Sequence, residues 1–347
     1  MEARRRGSRT RKATWSALFQ PERISQEESW PACLLPSAPL VAAPRPALYR
    51  SLLAPRRRHT LRISRFAWCD WLVAVSDDDP VTGRRMLTGS AYADDRHLRS
   101  RMSIYAYAET AADPRWRTSV IPWDGTQVVA DVGCGNGFDL RQIVPQGRCR
   151  HAIGLDLSAG MLRSLEDLRQ SSGLSLVQAD AQRLPLPDRS VDVAMAMHML
   201  YHVPDVPAAI RELRRITKRG GTVLASTNSP VHLAEINDLL GAAVSRQLDH
   251  PARAMPADSF TTETGTAILS REFSSVTLRT LDVSLSIPTA QPVITYVASV
   301  REPMLAWIGE PLDFDAVLDD IAMQVEQVIQ AQGSFRATTH MGAFTCR

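Results

Sequence analysis

The residues best suited to do chemistry stand together at Asp131-Val132-Gly133-Cys134-Gly135-Asn136-Gly137. Glycines alternating after an apolar run let the backbone turn tightly and let a ligand come within contact distance of main-chain N–H groups. A dinucleotide fold would want GxGxxG, and the position that requires the third glycine is Phe138. Glycine turns are also common structural punctuation, so a tight strand-to-helix turn remains the plainer reading of the cluster taken alone. His198 and His202, four residues apart, form a second group. A zinc-binding helix of that spacing carries glutamate directly after its first histidine, and Met199 stands there, so metal ligation is not expected.

The elements that must position these residues alternate between two periods. Residues 128–132 are a short, β-branched strand that runs straight into the glycine cluster. Further strands are expected at 151–157, 174–179, 191–197 and 222–226, the last reached through Gly220-Gly221. Helical stretches fall at 138–144, 158–170, 206–218 and 231–244. Such alternation implies a parallel, doubly wound α/β sheet, whose ligands sit at the carboxyl ends of the strands. Strands around 275–281 and 334–346 would complete it. Ahead of the first strand, residues 92–108 read as a helix opened by Asp94 and Asp95, with Leu98, Met102, Tyr105 and Ala108 on one stripe.

The spacing GxGxG, with an acid two residues before the first glycine, resembles motif I of class I S-adenosylmethionine-dependent methyltransferases. Later segments resemble the same family in order. They are Leu184-Pro185-Leu186-Pro187-Asp188 with Ser190-Val191-Asp192-Val193, then Leu200-Tyr201-His202-Val203-Pro204-Asp205, Arg211-Glu212-Leu213-Arg214-Arg215 and Arg219-Gly220-Gly221. The likeness is tight over 128–226, weak over 86–347, and closest to the ubiquinone/menaquinone-type branch. It implies a seven-stranded Rossmann-like sheet, mostly parallel with an antiparallel last strand, flanked by helices and carrying lid insertions. It implies S-adenosylmethionine as cofactor, held by Asp131, Gly133, Cys134, Gly135 and Gly137, by Asp156 and Leu157 at the ribose, by Asp180 and Ala181 at the adenine, and by Met197. Each has a plainer alternative: Asp156 as a strand end or helix cap, Asp180 as a turn residue, Cys134 as a small buried filler.

Methyl transfer from a sulfonium is an in-line displacement that asks mainly for positioning and exclusion of water. A base matters only for a phenol, an amine or an acidic carbon. His202, with an ordinary pKa near 6.5, is the best-placed candidate, followed by Tyr201 and His198; orienting its own loop is the competing role for His202. The acceptor is expected to be a small molecule, such as an aromatic secondary metabolite or a quinone-like ring. Lids are expected from 86–126, 228–270 and 287–333, with Tyr105, Tyr107 and Tyr296 roofing the pocket. A non-catalytic S-adenosylmethionine binder is the alternative, and a nucleic-acid methyltransferase a weaker one.

Composition sets the bounds. The chain has 347 residues, 44% hydrophobic and 22% charged, near the globular average. No apolar run approaches the roughly 18 residues that span a bilayer, so no membrane partner is expected. Five cysteines without CxxC spacing point away from a disulfide framework and toward the reducing cytoplasm. The net charge of +3 is split, with +8 in residues 1–85 and −5 in 86–347. The catalytic part therefore lacks the positive footprint of nucleic-acid binding. The first 85 residues hold four of the seven tryptophans and no useful periodicity, so little regular structure is expected there. They read as an extension preceding a start at Met86, as an Arg-rich binding arm, or as a transit peptide that Glu22, Glu27 and Glu28 fit poorly. Nothing in the sequence fixes an oligomeric state.

Overall fold

The structure is a computed structural model that describes residues 82–169, 173–252 and 259–347. The expectations for the first 81 residues lie outside the described residues, as do Gln170 and Pro256. Seven strands form one sheet in the order β3-β2-β1-β4-β5-β7-β6. They are β1 (Val128–Val132), β2 (His151–Asp156), β3 (Leu174–Gln178), β4 (Val191–Met197), β5 (Thr217–Asn228), β6 (Val276–Ile287) and β7 (Phe335–Cys346). The pairs among β1 to β5 are parallel, and β7 runs antiparallel to both β5 and β6. The expected doubly wound seven-stranded sheet with an antiparallel last strand is present. Strand order reverses between β1 and β4, which opens a crevice at their carboxyl ends.

Ten α-helices lie among the described residues: α1 (Arg96–Ser103), α2 (Leu140–Ile143), α3 (Ala159–Arg163), α4 (Glu166–Arg169), α5 (Val206–Ile216), α6 (Ala234–Leu248), α7 (Thr262–Leu269), α8 (Gln291–Ala298), α9 (Arg301–Ile308) and α10 (Phe314–Gln332). α5 shows why such segments fold. Asp205 caps it by accepting from the Ala208 N–H at 2.9 Å, and Val206, Ala209, Ile210, Leu213 and Ile216 make a continuous buried stripe.

Several boundaries differ from the sequence reading, each for a local reason. The expected helix over 158–170 divides into α3 and α4 because the chain tightens at Ser164 and Leu165, whose N–H groups reach Met161 and Leu162 three residues back. The expected helix over 92–108 shortens to α1 and a 3₁₀ turn, Ile104–Tyr107, after which Ala108 turns extended and pairs with Leu285 at the edge of β6. β5 begins earlier than expected, since Thr217 pairs with Val191 and residues 218–221 bulge before Thr222 pairs with Val193. Gly221 sits inside that bulge, where a Cβ would lie 2.7 Å from the Asp192 carbonyl oxygen.

Two bodies of apolar side chains result. One lines the sheet under α5 and α7, with Leu155, Ala194, Leu213, Phe260 and Phe344. The other joins α6, α8 and α10 to the outer halves of β6 and β7 around Ile104, Leu285, Val293, Phe314 and Ile321. The second body belongs to the insertions the sequence marked as extra.

Candidate active site

A cavity of about 370 Å³ opens at the carboxyl ends of β1, β2 and β4. Gly133, Gly135 and Gly137 all have positive φ, at 67°, 54° and 70°, a region L side chains rarely occupy. A Cβ on Gly133 would stand 2.7 Å from Met199, and one on Gly137 would run into Leu165. Gly133 and Gly135 line the cavity, while Gly137 lies beneath it and lets Leu165 pack under the turn.

Asp156 closes β2 beside that turn. Its Oδ2 accepts from the Gly135 N–H and its Oδ1 from the Ser158 N–H, both at 2.8 Å. Burial raises its pKa to about 6, against the lowering effect of the Ser158, Gly135 and Leu157 N–H groups. Asp180 accepts from the Gln182 backbone N–H at 2.8 Å and from its side-chain amide at 3.1 Å. Cys134, Leu157, Ala181 and Met197 also line this end. Burial, then the neighbouring Asp139, pushes the Asp131 carboxyl well above the usual range. One oxygen of Asp131 and one of Asp139 are buried with no hydrogen-bond partner. Arg117 donates to the other oxygen of Asp139 at 2.9 Å.

The opposite end is built from side chains on distant segments. Tyr105 and Tyr296 line it together with Tyr201, His198 and His202, whereas Tyr107 does not and packs in the second apolar body. The hydroxyl of Tyr92 and Nε2 of His202 are 2.9 Å apart, and His202 meets the rings of Tyr92 and Tyr201 edge to face. Burial, helped by the charge of Arg101, drives the His202 pKa down to about 3. The base expected to titrate near 6.5 is instead neutral throughout the working range. His198 has a left-handed φ of 53° and is held well below its ordinary pKa by burial and then by Arg117 and His232. His232 lies 3.2 Å from the Tyr105 hydroxyl, and burial lowers its pKa to about 4.

Sequence reasoning missed Tyr92, Arg101, Arg117, Asn228 and His232, all of which line the cavity. Arg101 left a signal: it lies three residues after Leu98 on the face that carries Met102 and Tyr105, where a solvated arginine would be out of place. For Asn228 and His232 no spacing rule applies, because β5 and the turn after it bring them in from far along the chain. Thr82 and buried Leu87 also belong to this site, so the segment that walls the cavity starts ahead of Met86.

Residues 130–225 match a protein family described as "Methyltransferase domain". The malonyl-[acyl-carrier protein] O-methyltransferase of Serratia marcescens is 35% identical over 108 residues, 31% of this chain and 41% of that protein. The ubiquinone biosynthesis O-methyltransferase of Methylococcus capsulatus is 34% identical over 115 residues, 32% of this chain and 48% of that protein. Among solved structures, the YcgJ protein from Bacillus subtilis aligns with a TM-score of 0.43 at 17% identity, over 65% of this chain and 92% of its own. The chain spans about a quarter to a half of the length of the curated relatives it matches. Residues 130–225 thus match a methyltransferase domain, and S-adenosylmethionine is the cofactor to test the cavity against.

The cavity suits such a ligand chemically. A sulfonium and an ammonium need acceptors, and the unpartnered oxygens of Asp131 and Asp139 are buried acceptors beside the glycine turn. Ribose hydroxyls need a carboxylate, and Asp156 keeps lone pairs to spare after its two backbone contacts. Among the described residues no helix is long and apolar enough to cross a membrane.

Proposed function

We propose that this chain transfers the methyl group of S-adenosylmethionine to a small aromatic acceptor, such as a phenol or a quinone-like ring. The observation that carries this reading is one continuous cavity with the glycine turn, Asp156 and Asp180 at one end and Tyr105, Tyr201 and Tyr296 at the other. Bound S-adenosylmethionine would supply an electrophilic methyl on sulfur. Asp156 would accept the ribose hydroxyls, Asp180 the adenine amino group, and Asp131 would face the cationic end. Gly133 and Gly135 would let the main chain approach, while Cys134, Leu157, Ala181 and Met197 would pack on apolar edges.

The chain's further task is to orient the acceptor and exclude water. The segments 86–126, 228–270 and 287–333 serve as the lid, each giving wall residues: Tyr92 and Tyr105 from the first, His232 from the second, Tyr296 and Val300 from the third. Flat rings pack well on tyrosine edges and faces. His202 and Tyr92 form the pair through which an acceptor proton would leave, with Tyr201 and His198 flanking them. A histidine kept neutral down to about pH 3 is always free of its extra proton, yet it is too weak to ionise a phenol ahead of transfer. Proton loss would therefore accompany methyl transfer instead of preceding it.

The test is calorimetry with S-adenosylmethionine and S-adenosylhomocysteine, followed by transfer of labelled methyl to panels of phenols, quinols, amines and oligonucleotides. Micromolar binding of both cofactor forms with transfer to a phenol or quinol is the expected result. Transfer confined to aliphatic amines or oligonucleotides would sink the aromatic acceptor, and cofactor binding without transfer to any class would identify a non-catalytic binder.

A further inference from the structure

Arg101 projects from α1 into the acceptor end of the cavity, and its charge has no counter-ion among the described residues. The Nε and Nη2 atoms of its guanidinium are buried and unpartnered among the described residues. The groups that act on it electrostatically are the phenols of Tyr92, Tyr201 and Tyr296, with its Cζ 5.0 Å from the Tyr92 ring centroid. A phenol ring and a hydroxyl soften a buried cation without neutralising it, and an uncompensated buried charge is costly to maintain. The unpartnered edge also has a shape. Nε and Nη2 lie on one edge of the guanidinium and present two parallel N–H groups, the fork that a carboxylate fills with both oxygens. The chain uses that same edge elsewhere: Arg115 holds Asp113 through Nε and Nη2 at 3.0 Å each, and Arg215 holds Glu212 through Nε at 2.6 Å and Nη2 at 2.7 Å.

Position separates the two carboxylates that could fill it, that of the acceptor and that of the cofactor's methionine end. Leu98 and Met102 of α1 lie over the glycine turn, with Leu98 3.3 Å from where a Cβ on Gly135 would be. Arg101, on the same face, reaches past them to the Tyr92 ring just ahead of α1, and its electrostatic neighbours also include Tyr201, which follows β4, and Tyr296 of the lid helix α8. Resting on the methyltransferase reading above, we infer that the acceptor carries a carboxylate and that Arg101 is its receptor. The acid group docks on the Nε/Nη2 edge after a rotation of the arginine stem, and the ring to which it is attached lies among the tyrosines.

The test uses the full chain saturated with S-adenosylhomocysteine and matched pairs of probes that differ only in charge: 4-hydroxybenzoate with 4-hydroxybenzamide, benzoate with benzamide, hexanoate with hexanamide. Titration calorimetry is expected to show at least one acid binding tenfold or more tightly than its amide. Arg101→Gln should abolish that preference, and Arg101→Lys should keep part of it. The comparison in the wild-type chain needs no variant, so it stands even if Arg101→Gln fails to fold. S-adenosylhomocysteine and 5′-methylthioadenosine, which lacks the carboxylate, should lose affinity equally little in Arg101→Gln. Equal affinity for acid and amide in every pair overturns the inference. So does a selective loss of S-adenosylhomocysteine over 5′-methylthioadenosine in Arg101→Gln, which would give Arg101 to the cofactor. A wild-type chain that binds neither nucleoside fails the methyltransferase reading itself, a result distinct from either of these.

Discussion

At the glycine end of the cavity the walls are main chain, and the side chains there serve mostly to hold it. Gly133, Gly135 and Gly137 curve around a space, and Asp156 fixes the curve by taking the Gly135 and Ser158 N–H groups. At the tyrosine end the walls are side chains from segments up to about two hundred residues apart in sequence, resting on an apolar body of their own around Ile104 and Phe314. Ser158 ties the two regions together. Its hydroxyl caps α3 by accepting from the Gly160 and Met161 N–H groups and donates to the Tyr92 carbonyl at 2.6 Å. Gly160 leaves room there for the Ala93 backbone, with which any Cβ would collide. A site that recognises a constant ligand can be written into backbone geometry, whereas one that must choose an acceptor is assembled from replaceable side chains.

That contrast can be broken by mutation. The largest effect is expected for Gly137→Ala, which combines an unfavourable φ with a collision against Leu165. A loss of about 2–4 kcal/mol should lower the melting temperature by about 5 °C or more. An unchanged melting curve would mean the turn is not rigid. Asp156→Asn should weaken S-adenosylhomocysteine binding by about 1.5–3 kcal/mol and also lower the melting temperature, because an amide NH2 replaces one of the two acceptors of the Gly135 and Ser158 N–H groups. If Asp156 takes the ribose hydroxyls, the charged carboxylate is the stronger acceptor, and its pKa is about 6 before binding. Wild-type affinity should therefore fall as the pH drops through about 6, and the Asn variant should lack that dependence; a pH-independent wild type would remove Asp156 from the ribose.

Gly160→Ala sharpens the comparison further, since it should dislodge the segment around Ala93 while leaving the sheet folded. About a tenfold loss of cofactor affinity, roughly 1.4 kcal/mol, with an unaltered circular dichroism spectrum is expected, and retention of full affinity would show the two regions to be uncoupled. His202 should add no inflection near pH 6.5 to the rate profile, because its ionisation lies at about 3. An inflection there that vanishes in His202→Gln would contradict the neutral, enclosed imidazole. The smallest effect is expected for Tyr107→Phe, which touches neither end of the cavity and should change rate and cofactor affinity less than twofold.

The sequence by itself determined the backbone-built region. An Asp and three alternating glycines after an apolar strand, then strands and helices in strict alternation, are local patterns, because a positive φ or a parallel strand buried on both faces restricts the residue types at that very position. Gly133 and Gly135 were legible for that reason, whereas Asp131, Asp156 and Asp180 were read from the resemblance of the segments that carry them. The tertiary structure alone decided the rest. It replaced Tyr107 with Tyr92, drove His202 from an ordinary histidine to one kept neutral, and left Arg101 without a counter-ion among the described residues. Each of these properties is set by desolvation and by neighbours distant in sequence, quantities that come into being only when α1, the turn after β4 and the lid helices close on one another.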